Sequence, residues 1–355
     1  MEKRTEALRA HLQQENAAAI LITNPVNVAY LSGFTGTLGY LLVTEKAAWL
    51  LTDFRYLEQA RAQAAGWDIV DVCGSAWKQV AALLDEEGIR GLLAEGDHLT
   101  VDVFEKVQAA LEGVTLQVAP SPVGMLRKIK SEQEISLIEA AVRLTDQAFD
   151  HILTFIQPGV PERDIALELE YFMRKNGASG PSFDMIVASG ERSALPHGVA
   201  GEKTLEHGDA VVMDFGCVLN GYCSDMTRTV FVGDVSARQR EVYDAVLASQ
   251  KAALASLRAG LTGKEADALA RDVLAGFGLS GHFGHGLGHG LGREVHEVPR
   301  LSPAAVDVLE PGMVVTVEPG VYLGGEFGVR IEDVVVIEEK GVRNLTGSSK
   351  ELFCR

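Results

Sequence analysis

Positive charge is scarce in this chain. Lysine and arginine total 32 against 49 aspartates and glutamates, a formal net charge of −17. Nucleic acid and anionic membranes demand basic patches, so this deficit argues against both as partners. It is compatible with a cation-binding site. Cysteine is scarce too: Cys73, Cys217, Cys223 and Cys354 include no C-x-x-C pair. A Cys217–Cys223 disulfide can be drawn across a hairpin, but free thiols in a reducing cytoplasm are the expectation for a chain of this size. No apolar run approaches a membrane span, and the charged start MEKRTEALRAHLQQEN lacks the apolar segment of a secretory signal. The expected location is cytoplasmic.

A length of 355 residues favours two domains, and 47% hydrophobic against 23% charged residues supports a sizeable core. Residues 1–122 alternate strand and helix signals and read as an α/β domain with a mixed sheet. The strand candidates are AAAILIT, YLSGF, GYLLV, AAWLLTD, DIVDV, GLLAE and TLQVA. The proline- and charge-rich stretch APSPVGMLRKIKSEQE marks the boundary, so the second domain is expected over 123–355. There the order long helix, second helix, strands occurs twice. Gly159–Asp164 (GVPERD) aligns with Gly260–Glu265 (GLTGKE), and each half ends in a strand pair bearing two acids. This reads as an internal repeat whose halves face each other across a pseudo-two-fold axis.

Those acids, with one histidine, are the candidate metal site: Asp214, Asp225, His289, Glu318 and Glu332. Carboxylates with one imidazole suit two hard or borderline divalent cations. Such a pair can activate a water and polarise a carbonyl, so metal-assisted hydrolysis is the expected chemistry. Asn220-Gly221 is a two-residue hairpin signal. Pairing outward from it sets Gly216 opposite Asp225 and Asp214 opposite Thr227, which makes the two aspartates diagonal neighbours on one face, roughly 7–8 Å apart at the backbone. Gly216 is expected to leave room for an ion. Two merely exposed aspartates would be a poor alternative inside apolar strands.

Glu318 and Glu332 are harder to bring together. A tight turn at Gly324-Gly325 opposes Glu318 to Ile331 and turns the glutamates to opposite faces. A bulge or an odd-length loop restores the shared face, and Pro319 makes an irregularity expected. The competing role for Glu332 is a salt bridge with Arg330. The stretch GHFGHGLGHGLGREVHE holds His282, His285, His289 and His296, and its glycines at 284, 286, 288, 290 and 292 permit close approach of backbone to a metal or substrate. Such density points to an active site. His197, in ALPHG, alone reads as a loop histidine.

VVMDFGCVLNGYCSDMTRT, LPHG, GHGLGHGLGREVHE, TVEPG and RIED together resemble the pita-bread metallopeptidase family, which includes methionine aminopeptidase, aminopeptidase P and prolidase. The likeness covers residues 125–355, and the N-terminal third resembles the creatinase-type domain of the proline-specific branch. It implies an α+β pita-bread catalytic domain after a creatinase-like α/β domain. It also implies five ligands at Asp214, Asp225, His289, Glu318 and Glu332, with Asp225 and Glu332 bridging. His197 and His296 would orient substrate and stabilise the tetrahedral intermediate, Glu318 would carry the proton, and His285 would line the pocket. Arg300 matches a position that meets the substrate carboxylate in prolidase-like enzymes, though it could equally bind a longer peptide or support Glu297.

The implied reaction is hydrolysis of the Xaa-Pro bond in dipeptides or short proline-containing peptides. Aminopeptidase P activity on longer peptides is the alternative. A metal-free creatinase-like enzyme or binding module is disfavoured by the complete ligand set. Manganese or cobalt suits the site best, with zinc or iron as further candidates. The likeness further implies a homodimer in which one loop reaches the partner's pocket; the glycine-rich loop Phe34–Leu38 is the candidate, and a simple surface turn is the alternative reading.

Overall fold

The computed structural model describes residues 2–15 and 17–355. Met1 and Asn16, the ends of the charged stretch MEKRTEALRAHLQQEN, lie outside the described residues. The chain forms two compact units, 1–127 and 128–355.

The first unit carries a six-stranded mixed sheet. Its spatial order is Asp68–Asp71, Ala48–Thr52, Tyr40–Thr44, Ala19–Ile22, Gly91–Glu95 and Thr115–Ala119. The central strand is apolar throughout because both its faces are covered. Ile20 and Ile22 join one core with Leu41 and Leu50, while Ala19 and Leu21 join another with Leu42 and Leu51. Pro122–Arg127 is a short helix of this first unit, with Val123 and Leu126 packed beside Leu8 and Tyr30.

One local expectation is corrected. YLSGF is not a strand: Pro25–Ser32 is a helix, capped by the Asn24 side chain on the Val26 N–H and stopped by left-handed Gly33. Asn-Pro before it and Gly after it are the helix signals that outweigh the apolar run. Phe34 opens the candidate loop Phe34–Leu38. It is 1% exposed and packs edge-on against Tyr56 in its own core. All four cysteines are free thiols.

The second unit runs through its element order twice. Helices Glu132–Ile152 and Glu162–Lys175 cover the sheet of Ile186–Ser189, Ala210–Phe215 and Met226–Phe231. Helices Ala237–Ser256 and Gly263–Gly276 then precede a five-stranded sheet in the order Glu297–Leu301, Gly288–Gly290, Val314–Val317, Asp333–Glu338, Gly341–Asn344. The weak sequence repeat is matched bond for bond. Gly159 N donates to Leu205 O, Leu205 N to Val160 O, and Arg163 N to Gly201 O. In the second half Gly260 N donates to Leu309 O, Leu309 N to Leu261 O, and Lys264 N to Ala305 O. Gly159 and Gly260 share a φ of +86°.

The halves are tied by Arg228, which is 1% exposed. Its guanidinium donates to the carbonyls of Thr227, Glu332, Ser348 and Ser349 and pairs with Asp333 at 2.9 Å. Asp333 also accepts from Gln250, Asn344 and Lys350. Removing one partner of such a pair strands a buried charge. Asp333→Asn is therefore expected to cost about 3–5 kcal/mol of unfolding free energy in urea titrations. A loss below about 1 kcal/mol would show that the network adds little.

Candidate metal centre

The Asn220-Gly221 turn has φ values of 52° and 77°, as a primed hairpin requires. From it the register runs outward through Leu219↔Tyr222, Phe215↔Met226 and Asp214↔Thr227. Asp214 and Asp225 accordingly line one cavity. The purpose of Gly216 differs from the expectation. A Cβ there would lie 1.9 Å from Ser224 O and 2.4 Å from Ser182 Oγ, so the glycine admits a neighbouring backbone carbonyl rather than an ion.

The second pair converges through an odd-length loop. Leu323 pairs with Phe327, leaving the three residues Gly324, Gly325 and Glu326 to turn the chain. Gly320↔Arg330 and Val317↔Asp333 then share one register, which sets Glu318 opposite Glu332. The ladder breaks between these pairs, around Pro319. Glu318 N instead donates to Leu287 O, and Glu332 N to Thr227 O. The latter bond stitches the second acidic pair to the strand that follows Asp225.

His289 completes the group. Its Nε2 is 3.6 Å from Asp225 Oδ2 and 3.5 Å from Glu318 Oε1. Its Nδ1 lies 3.1 Å from Gly290 O, a contact that needs the proton on Nδ1 and leaves the Nε2 lone pair free. Burial and the nearby His296 push its pKa down to about 3, so the ring is neutral. The glycines of this stretch chiefly serve packing between strands: a Cβ on Gly288 would meet Thr316 O at 2.1 Å.

The four carboxylates are crowded. Burial first, then neighbouring carboxylates, hold Asp225 and Glu332 well above the usual carboxylate range. Burial pushes Glu318 up to about 8 against the pull of Arg330. Arg330, 3% exposed, is a site residue that the sequence analysis had as a partner for Glu332. It pairs instead with Asp214, at 2.5 Å between Nη2 and Oδ2, and also donates to Tyr322 OH, Pro196 O and Thr227 Oγ1. Thr227 Oγ1 in turn donates to Glu332 Oε2 at 2.7 Å, and Thr316 Oγ1 to Glu318 Oε1 at 3.3 Å. These hydroxyls gave no signal in sequence beyond their place two residues from an acid.

A divalent cation fits this donor set. Ligand atoms of Asp225, His289 and Glu332 lie within 4.8 Å of one another. Asp214 Oδ1 is buried and has no hydrogen-bond partner among the described residues. Asp214 and Glu318 stand outside the tight trio, but on the same cavity wall.

The cavity, of about 490 Å³, is also lined by His197, His285, His296 and Arg300, so every candidate site residue meets there. His282 is exposed and is not among its lining residues. His285 has both ring nitrogens engaged, with Gly286 O and Tyr322 OH, each at 2.8 Å. Burial, then Arg330, pushes its pKa down to about 4, so it offers a neutral ring to the cavity. Glu297 is held by Lys130 Nζ at 3.0 Å and by the N–H groups of Arg293 and Glu294. Arg300 is exposed, and among the described residues its guanidinium has no hydrogen bond or ion pair.

Residues 136–339 match metallopeptidase family M24, and residues 4–129 match the creatinase/prolidase N-terminal domain. The chain is 47% identical to the peptidase YqhT of Bacillus subtilis, over 98% of this chain and 99% of that one. It is 38% identical to the Xaa-Pro dipeptidase of Pyrococcus furiosus, over 99% of this chain and 100% of the other. The structure of an Xaa-Pro dipeptidase from Bacillus anthracis superposes with a TM-score of 0.98 at 46% identity, covering 100% of this chain and 99% of that one. The chain belongs to metallopeptidase family M24, with a creatinase/prolidase N-terminal domain ahead of the catalytic one.

Proposed function

We propose that this chain is an Xaa-Pro dipeptidase that uses two divalent metal ions, best manganese or cobalt, held by Asp214, Asp225, His289, Glu318 and Glu332. Asp225 and Glu332, in the tight trio with His289, would supply carboxylate oxygens to the ions. The observation that carries the reading is four crowded carboxylates and a neutral imidazole facing one cavity with Arg330 as their one buried cationic partner among the described residues. Relatives named Xaa-Pro dipeptidase support the substrate class. When bound, the ions lower the pKa of a water toward neutrality and polarise the scissile carbonyl.

The chain's own residues do the rest. Glu318 Oε2, the oxygen not engaged by Thr316, takes the proton of the attacking water and passes it to the departing proline nitrogen. Burial and Arg300 keep His296 below the usual histidine range, so near pH 7 it is a neutral N–H donor. His296 and His197 donate to the developing oxyanion and hold the substrate backbone. Proline lacks an N–H and fixes φ, so this positioning replaces strand-like docking. His285 walls the pocket. Arg300, which lines the cavity and has no ion pair among the described residues, receives the free carboxylate of a dipeptide in a bidentate pair. A cytoplasmic homodimer belongs to the same proposal, and light scattering measures the assembly.

Two measurements test the reading. Asp225→Asn is expected to lower Xaa-Pro hydrolysis more than about 100-fold, beyond the 10- to 100-fold typical of outer-shell changes, with lost metal stoichiometry. Undiminished hydrolysis in chelator would refute the metal mechanism. Arg300→Met is expected to cut kcat/KM for Xaa-Pro by about 10- to 100-fold, the worth of a charge-assisted pair, while sparing Xaa-Pro-Yaa. Equal losses on both would favour an aminopeptidase that binds longer peptides.

A further inference from the structure

His197 lies in the stretch 190–201, where Leu195, His197 and Val199 are all exposed. A connection of this kind is mobile unless something fixes it. Here one carboxylate fixes it at several points. Glu162, the first residue of helix Glu162–Lys175, is 0% exposed. Its Oε1 accepts from Ser189 N and Ser189 Oγ, each at 2.8 Å, where the stretch begins. Its Oε2 accepts from Gly201 N at 3.2 Å, where the stretch ends, and pairs with Arg192 in between. Arg192 Nη2 then donates at 3.0 Å to Val199 O, two residues past His197. These partners lie 27 to 39 positions away along the chain, so the carboxylate serves the loop and not its own helix.

We propose that Glu162 and Arg192 are positioning residues that clamp the His197 loop in its working geometry. The proposal rests on the substrate-holding role given to His197 above. The other two histidines assigned to substrate have similar anchors. Buried Asp267 accepts from Leu287 N and pairs with Arg271, which donates to the carbonyls of Phe283 and His285. Glu297, paired with Lys130, accepts from two N–H groups of the turn that precedes His296. Each of the three histidines thus sits on a loop closed over an acid and a cation.

The test is a double-mutant cycle on metal-loaded, full-length enzyme. Glu162→Gln and Arg192→Met are made alone and with His197→Ala, and kcat, KM, metal stoichiometry and Tm are measured on an Xaa-Pro dipeptide. A misplaced loop predicts a loss in kcat of about 10- to 100-fold for either single variant. In the His197→Ala background the same changes are expected to cost no more than about two-fold, with metal content unchanged throughout. Arg192→Lys should recover part of the loss. Arg192→Met leaves Glu162 in place and decides the matter if Glu162→Gln does not fold. Losses that multiply independently of His197 would overturn the clamp while leaving the role of His197 intact. A native kcat for His197→Ala would overturn both.

Discussion

Mutual repulsion among Asp214, Asp225, Glu318 and Glu332 is the constraint around which the catalytic unit is organised. Each is turned to one cavity, and burial strips away the water that would screen them. Isolated buried carboxylates respond by taking up protons. Arg330 relieves the first of them and threonine hydroxyls orient two more, but one guanidinium cannot balance four acids. The remaining charge is what a divalent cation supplies, and the neutral Nε2 of His289 adds the nitrogen ligand of such a site.

Asp214 lies within a strand and Asp225, Glu318 and Glu332 each directly adjoin a strand end, so the acids are held against the repulsion that would scatter them from long loops. Asp214 and Asp225 come from the first half of the repeat, Glu318 and Glu332 from the second. The halves are joined just behind the cavity by Arg228 and Asp333, next in sequence to Thr227 and Glu332. The side chains assigned to substrate, His197, His285 and His296, lie instead on loops, tied by buried acids that each pair with a cation. The architecture separates a stiff ligand floor from an adjustable, anchored rim.

Local chemistry explains which parts were legible in sequence. Asn220-Gly221 sets the register of its hairpin with no help from the rest of the fold, so the Asp214–Asp225 pairing followed from counting. Gly324-Gly325 is an equally visible turn signal, yet Glu326 joins the loop and shifts the register by one residue. That shift brings Glu332 to the right face. Counting also could not show that Gly216 and Gly288 make room for neighbouring backbone, because those neighbours arrive from distant segments. YLSGF was misread because an apolar run alone does not distinguish strand from buried helix.

The sequence by itself determined the doubled plan of the catalytic unit and most of its element order, and it singled out the acids, histidines and Arg300 that face the cavity, though not the place of Arg330 among them. Those depend on residue type, periodicity and turn chemistry, which are local. The tertiary structure decided who pairs with whom. It gave Arg330 to Asp214 rather than Glu332, buried Phe34 in its own core, left Arg300 without a partner among the described residues, folded the His197 and His285 loops onto the sequence-distant acids Glu162 and Asp267, and brought Lys130 to Glu297 beside His296. Such pairings depend on distances across the fold, which spacing along one chain does not encode.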